Sequence, residues 1–330
     1  MSWKSVSKFR SELMGLACLW VMLFHNFFDW PNLLYPLQRF AFYGNLGVDI
    51  FLLLSGVGLY YAWSKKPTLG DFYARRFVRV LIPYVLLAVP YWVFWDLYLG
   101  KGDFLMDLFQ LSLPLNRVVT TWYISAICVM YLFYPLIARF IFIGDRWTRT
   151  VILCGVIMLY CLHCYYKDYK IYYNCEIALT RTAVFVIGCA LGKSVKDNEP
   201  IASHHLPLSI LWIILNEILR RHVTLGTAWV RFSYIPLSLS VCIVLCWVLE
   251  QLENCGGMRK FLCFFGERSL ELYLSHVLIS EVFYNYIPVR AWDRWGIGTY
   301  AVILLISLGI STLLHPLLTR LYILCLPTRR

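Results

Sequence analysis

Charge is what this sequence has least of. Only 15% of its 330 residues are Asp, Glu, Lys or Arg, against about a quarter in an ordinary soluble chain, and 60% are apolar. So few charged side chains cannot cover a water-soluble fold of this length, which excludes a stand-alone cytosolic enzyme and a disordered chain. Also missing are a nucleotide-binding glycine loop, a low-complexity tract and a repeat with a solenoid period. Negative charge is the scarcer sign: 19 Asp and Glu face 30 Lys and Arg, a formal charge of +11. In a soluble protein that surplus points to nucleic acid; here the cations sit at the ends of apolar runs, which assigns them to a membrane surface and excludes nucleic acid. A secreted disulfide framework is excluded too. Most of the twelve cysteines, Cys18, Cys128, Cys154, Cys189, Cys242 and Cys246 among them, lie inside apolar runs, where a thiol packs as a small hydrophobe. No metal site is expected: Cys161, His163 and Cys164 form a single CxxC-type run without a second pair, which reads as packing, with a disulfide to Cys175 as the alternative.

What is present is ten apolar runs, each near the ~20 residues that cross a hydrocarbon core as a helix. They predict helices over 12–29, 44–63, 79–99, 119–141, 150–166, 178–193, 207–221, 233–250, 269–287 and 299–322. The sequence reads as an all-α polytopic membrane protein, one domain over 1–330, with a cytoplasmic N-terminus (1–11), a ten-helix core (12–322) and a cytoplasmic tail (323–330). With both termini inside, 19 of the 30 Lys and Arg fall on the cytoplasmic side and 11 outside, the asymmetry that positive-inside orientation requires. The first run is not a cleaved signal peptide, because NFFDWP follows it over 26–31 where a small-x-small site would stand. Arg220, Arg221 and Arg231 crowd one outer loop and read as lipid-headgroup contacts, with an anionic substrate as the alternative.

An ionisable group at bilayer depth costs about 2.5–3.5 kcal/mol on insertion scales, so each one is a candidate site residue. They are His25, Asp49, Arg181, Glu217, Glu271 and His276. His25 lies roughly 18 Å along its helix from the inner end at the helical rise, past the midplane, and Asp49 descends to a similar depth on the next helix. A carboxylate there would orient the imidazole and stabilise its protonated form. The alternative is that His25 bonds a helix carbonyl and Asp49 caps a turn. In the inner stretch SKKPTLGDFYARRFVRVLIPY, Arg75, Arg76 and Arg79 crowd the start of a helix. They serve either as membrane anchors or as a clamp whose forked guanidinium bonds hold phosphate. Trp122 and Tyr123 open the fourth run, Arg181 begins a short one containing Gly188 and Gly192, and Ser269, Glu271, Tyr273 and His276 follow one another in GERSLELYLSH. Ser269 is read as an N-cap and Glu271 as a first-turn anion.

Six strings stand in order along nearly the whole chain: LWVMLFH ending at His25, GVDIFLLLSG over 47–56, FYARRFVRVLIPY over 72–84, TWYIS over 121–125, RTAVFVIGCALG over 181–192 and SLELYLSH over 269–276. In this register the chain resembles the membrane-bound acyltransferase family 3, integral-membrane O-acyltransferases of bacterial surface glycans. The resemblance implies a ten-helix core in a bacterial plasma membrane. It also implies a co-substrate, acyl-coenzyme A and most often acetyl-coenzyme A, rather than a resident cofactor, and a carbohydrate hydroxyl outside as acceptor. His25 matches the family's first-span histidine, and Arg75, Arg76 and Arg79 its donor-side arginines. The family's arginine eleven positions before the histidine falls on Met14, so Arg10 either replaces it or anchors the helix. WYIS is followed by Ala126, Ile127 and Cys128, where many members carry acidic residues.

The expected mechanism docks coenzyme A phosphates on Arg75, Arg76, Arg79 and Arg10 and brings the thioester to His25, a general base oriented by Asp49 or, in a variant, the carrier of an acyl group. Ser55, Trp122, Tyr123, Arg181, Tyr273 and His276 are expected around the substrates, with Ser55, Tyr123 and Tyr273 carrying hydroxyls suited to an oxyanion. No fused esterase-like soluble domain is present, so the acceptor is expected to meet the membrane core or a separate envelope partner. Ten helices with intramembrane charge also suit a transporter or flippase of a lipid-linked or acylated saccharide, and a membrane module for recognition or assembly without chemistry of its own.

Overall fold

A computed structural model describes residues 1–25, 35–116, 120–222, 227–286 and 296–326. The NFFDWP stretch and the outer part of the first expected helix lie outside the described residues. Apolar runs become helices because a backbone deprived of water has to satisfy its own N–H and C=O groups. The helices are α1 (Lys4–Lys8), α2 (Arg10–His25), α3 (Tyr35–Phe42), α4 (Leu46–Trp63), α5 (Leu69–Trp92), α6 (Phe104–Leu108), α7 (Ser112–Asn116), α8 (Trp122–Phe142), α9 (Arg146–Lys167), α10 (Tyr169–Leu179), α11 (Thr182–Lys196), α12 (His205–His222), α13 (Thr227–Gln251), α14 (Gly256–Glu267), α15 (Ser269–Tyr286) and α16 (Gly296–Cys325). Among the described residues the only β pairing is an isolated bridge between Ser2 and Pro200.

Among the described residues, seven helical segments are long and apolar enough to cross a membrane: Leu37–Trp63, Leu69–Tyr98, Trp122–Phe142, Arg146–Lys167, Tyr169–Lys196, Ala228–Gln251 and Gly298–Cys325. The other three expected spans correspond to α2, described over 16 residues, α12, which carries Glu217, Arg220 and Arg221, and α15, which carries Glu271, His276 and Glu281.

Three boundaries differ from the sequence reading. α5 begins at Leu69 rather than near 79, because extended Thr68 caps it by accepting from the Asp71 N–H; the arginine cluster is therefore inside a helix. The sixth run is two helices broken at Thr180 and Arg181, and Arg181 is the N-cap of the second. α16 continues to Cys325 and takes in the start of the expected tail. A short amphipathic helix, α14, was not expected; its Gly266 meets Gly15 of α2, and its Arg259 pairs with the buried Glu12 at 2.9 Å.

The most extensive helix–helix packing joins α4 to α11. A Cβ on Gly56 would fall under 3.0 Å from the Phe185 carbonyl and the Cys189 amide, one on Gly188 would strike the Leu53 backbone, and one on Gly192 would strike Tyr60. Small residues let two backbones approach this closely, the main source of helix adhesion where lipid is as apolar as the side chains. These contacts advance along both helices in the same direction, so α4 and α11 run parallel. At one end of the bundle the chain start is tied down by Trp3 N–H to the Glu199 carbonyl, Lys8 to Glu253 at 2.7 Å, and Ser5 to Glu250. There Arg146 also holds Glu199 in a two-pronged pair. The hydroxyl of Tyr322, near the other chain end, donates to the Arg79 carbonyl.

Gly188→Leu is expected to lower the stability of the purified protein by about 1–3 kcal/mol, the usual cost of overpacking, read as a fall in thermal midpoint in detergent. Gly155→Leu, where nothing lies within 4 Å of the added carbon, is expected to leave the midpoint unchanged.

Candidate active site

The ionisable groups that the sequence singled out at membrane depth are each answered by a group on another helix. Asp49, fully buried in the first turn of α4, faces Arg181 at the head of α11, with Nε 3.3 Å from Oδ1. The same guanidinium reaches the Asn45 carbonyl at 3.4 Å and lies over the Trp122 ring at 5.3 Å. Trp122 is thereby fixed as a wall under the arginine. Next to it, Arg231 of α13 pairs with Glu176 of α10 at 2.9 Å. Glu217 of α12 gathers Arg39 in a two-pronged pair, Arg221 and the Tyr43 hydroxyl. Glu271 meets His315 of α16 at 3.3 Å.

His25 is not oriented by Asp49 as the sequence suggested, because Asp49 is engaged with Arg181. The ring partner of His25 is His276: His25 Nδ1 lies 2.8 Å from His276 Nε2, with the two rings 21° from coplanar. His276 is fully buried and its Nδ1 lies 2.8 Å from the Leu272 carbonyl one turn back. The pair forms because α2 and α15 run parallel: Cys18 meets the Ser269 carbonyl below, and His25 meets His276 seven residues further along both helices. Ser269 is the first residue of α15 rather than its cap; the capping carbonyl comes from Arg268, which accepts from Leu272 N–H.

A cavity of about 150 Å³ lies inside the bundle. Arg10, Arg76 and Arg79 line it with Ser55, Tyr123, Tyr131, Tyr273, Ser269 and Met14. Arg10 and Met14 stand one helical turn apart on the same face of α2, so Arg10 presents its charge to the space that Met14 also lines. Arg76 additionally donates to the Gly58 carbonyl at 3.3 Å. Arg75 does not line the cavity, although it is adjacent in sequence to a residue that does. The tyrosines form an edge-to-face ladder: Tyr123 on Tyr273 at 5.4 Å between centroids, and Tyr273 on His276 at 5.8 Å. Neither imidazole lines the cavity; the Tyr273 ring is common to the cavity wall and the histidine pair.

The twelve cysteines are free, including Cys161, Cys164 and Cys175, so the alternative disulfide is not formed. Among the described residues no group of three His, Cys, Asp or Glu side chains converges as metal ligands. The structure thus groups the candidates into three sets: Arg10, Arg76, Arg79, Ser55, Tyr123 and Tyr273 around one cavity; His25 with His276; and Asp49, Arg181 and Trp122 in a buried ion pair with its aromatic wall. Tyr131 was missed, since an aromatic on an apolar helix looks the same in sequence whether it faces lipid or a cavity. The Asp49–Arg181 pairing did leave a trace in the sequence: two opposite charges placed near the same end of apolar runs, each needing a partner.

These features define a polytopic helical membrane protein with an interior cavity walled by arginines and an imidazole pair behind the Tyr273 ring. The sequence profile of the acyltransferase domain matches residues 13–316, and the chain belongs to acyltransferase family 3. No curated protein and no solved structure gives a significant match.

Asp49→Ala strands the Arg181 guanidinium in a buried site and is expected to destabilise the fold by about 3–5 kcal/mol. The double variant Asp49→Ala/Arg181→Leu is expected to recover most of the loss, and thermal unfolding of the three proteins in the same detergent measures it.

Proposed function

We propose that this acyltransferase moves an acyl group, acetyl in the first instance, from cytoplasmic acyl-coenzyme A to a hydroxyl of a cell-surface carbohydrate or its lipid-linked precursor, working in a bacterial plasma membrane. The observation that carries the reading is the single cavity that has Arg10, Arg76 and Arg79 in its walls and shares the Tyr273 ring with the histidine pair. Guanidinium groups suit the phosphates of coenzyme A because they bind phosphate oxygens through paired, charge-assisted hydrogen bonds. In this reading the end that holds both described chain ends, rich in Lys and Arg, faces the cytoplasm. The parallel pairs α2 with α15 and α4 with α11 agree with a ten-crossing core in which the first and ninth spans, and the second and sixth, share a direction.

In this reading the pantetheine arm follows the cavity and the thioester reaches the imidazoles when the Tyr273 ring swings aside. The acceptor oxygen attacks the thioester carbonyl carbon, His25 takes the hydroxyl proton, the carbon–sulfur bond breaks, and the same proton passes to the departing thiolate. Ser55, Tyr123 and Tyr273 carry hydroxyls near the path for the transient oxyanion. Trp122, held flat under Arg181, belongs to the outer wall. The break between α10 and α11 at Arg181 also suits a carrier of a lipid-linked saccharide, since transporters build binding sites at interrupted helices. Transport of saccharide without any acyl donor is the outcome that favours that second reading.

His25→Ala, checked for folding, is expected to reduce acyl transfer by about 10²–10⁴-fold, the usual contribution of a general base. Arg76→Ala is expected to weaken acyl-coenzyme A binding about tenfold or more, the loss of one charge-assisted hydrogen bond, measured by titration of the detergent-solubilised protein. Transfer by His25→Ala at the wild-type rate would remove the catalytic reading.

A further inference from the structure

Two hydrogen bonds specify which nitrogen of each imidazole carries its proton. A backbone carbonyl only accepts, so the 2.8 Å contact between His276 Nδ1 and the Leu272 oxygen requires the proton on Nδ1. A neutral imidazole has one N–H, which leaves His276 Nε2 as an acceptor. That nitrogen lies 2.8 Å from His25 Nδ1; two lone pairs facing each other at this distance repel, and the contact closes only if His25 Nδ1 donates. The basic lone pair of His25 is then on Nε2. The other arrangements that satisfy both distances make one of the two rings an imidazolium. His276 is 0% exposed, and a full charge at that depth is the costlier choice.

We propose that His276 is a positioning residue which, through the Leu272 carbonyl, holds His25 in its Nδ1–H form, so that Nε2 is the nitrogen that takes the acceptor proton and returns it to the thiolate. The proposal rests on the acyl-transfer reading of His25. Its physical advantage is that neither hydrogen bond has to be remade during the reaction. When Nε2 is protonated, Nδ1–H still donates to His276 and His276 Nδ1–H still donates to Leu272, so both dipoles already point the way that stabilises the new charge on His25. This is the service expected of the carboxylate in a His–carboxylate pair, supplied here by a neutral ring and a helix carbonyl, while Asp49 is committed to Arg181.

Solid-state NMR of the protein in lipid, with ¹⁵N-labelled histidine, reads the tautomer directly, because ring-nitrogen shifts separate Nδ1–H, Nε2–H and imidazolium forms. There are seven histidines, and the His25 signals are those lost in His25→Ala. The expected wild-type spectrum shows His25 and His276 both as Nδ1–H. In His276→Leu, His25 is expected to shift to the Nε2–H form that free histidine favours, and kcat to fall on the order of 10²-fold with KM for the donor nearly unchanged. The wild-type spectrum needs no variant to fold: His25 as Nε2–H, or His276 as imidazolium, overturns the proposal. An unchanged His25 tautomer in folded His276→Leu overturns it as well. If instead His25→Ala transfers acyl groups at the wild-type rate, the acyl-transfer reading falls and the role given to His276 falls with it, whatever the spectrum shows.

Discussion

Inside a bilayer a charge keeps its place only where another part of the same chain answers it, and the pairing of Asp49 with Arg181 is the contact on which the rest of this structure depends. The pair closes the head of α4 onto the head of α11. Two turns further along, glycines let the same helices touch backbone to backbone. With charge at one point and close packing at the next, the parallel register of the two helices has little freedom left. Arg181 then positions Trp122 beneath it, and Trp122 opens α8, the helix that supplies Tyr123 and Tyr131 to the interior cavity.

The cavity and the histidine pair are consequences of the same rule applied to weaker groups. Arginines from α2 and α5 share one space because helices with guanidinium groups cannot turn them to lipid. The imidazoles, uncharged, need only hydrogen bonds, and they find them in each other and in the Leu272 carbonyl. Tyr273 links the two regions as a wall of one and a neighbour of the other. In the proposed reading the acyl donor enters at the arginines and the histidine pair takes the proton; the family to which the chain belongs is one of acyltransferases.

Much of this was legible in the sequence, with particular exceptions. Among the described residues the expected apolar runs are helical, the sixth as two helices, and the buried ionisable residues were identifiable one by one because each breaks an apolar run. The pairing among them was not. His25 and Asp49 lie at similar depth on consecutive helices, which made them look like partners, yet Asp49 belongs to Arg181 and His25 to His276, residues 132 and 251 positions away in the chain. The start of α5 was misplaced because apolarity begins near 79 while the helix begins ten residues earlier; the cap that starts it, Thr68 with Asp71 three residues on, was readable as a capping motif. The separation of Arg75 from Arg76 and Arg79 had no such marker, since it depends on which side of α5 faces its neighbours.

The sequence by itself determined the solvent, the helical class, the family and the set of residues with chemistry to offer, because each of these follows from composition and from spacing along a single helix. Tertiary structure alone decided who meets whom: the ion pair, the shared cavity and the nitrogen-to-nitrogen contact of the histidines. Depth in the membrane is a one-dimensional quantity that a sequence encodes. The rotation of each helix about its axis, and its choice of neighbours, is settled only when all the buried polar groups and small-residue faces are satisfied together.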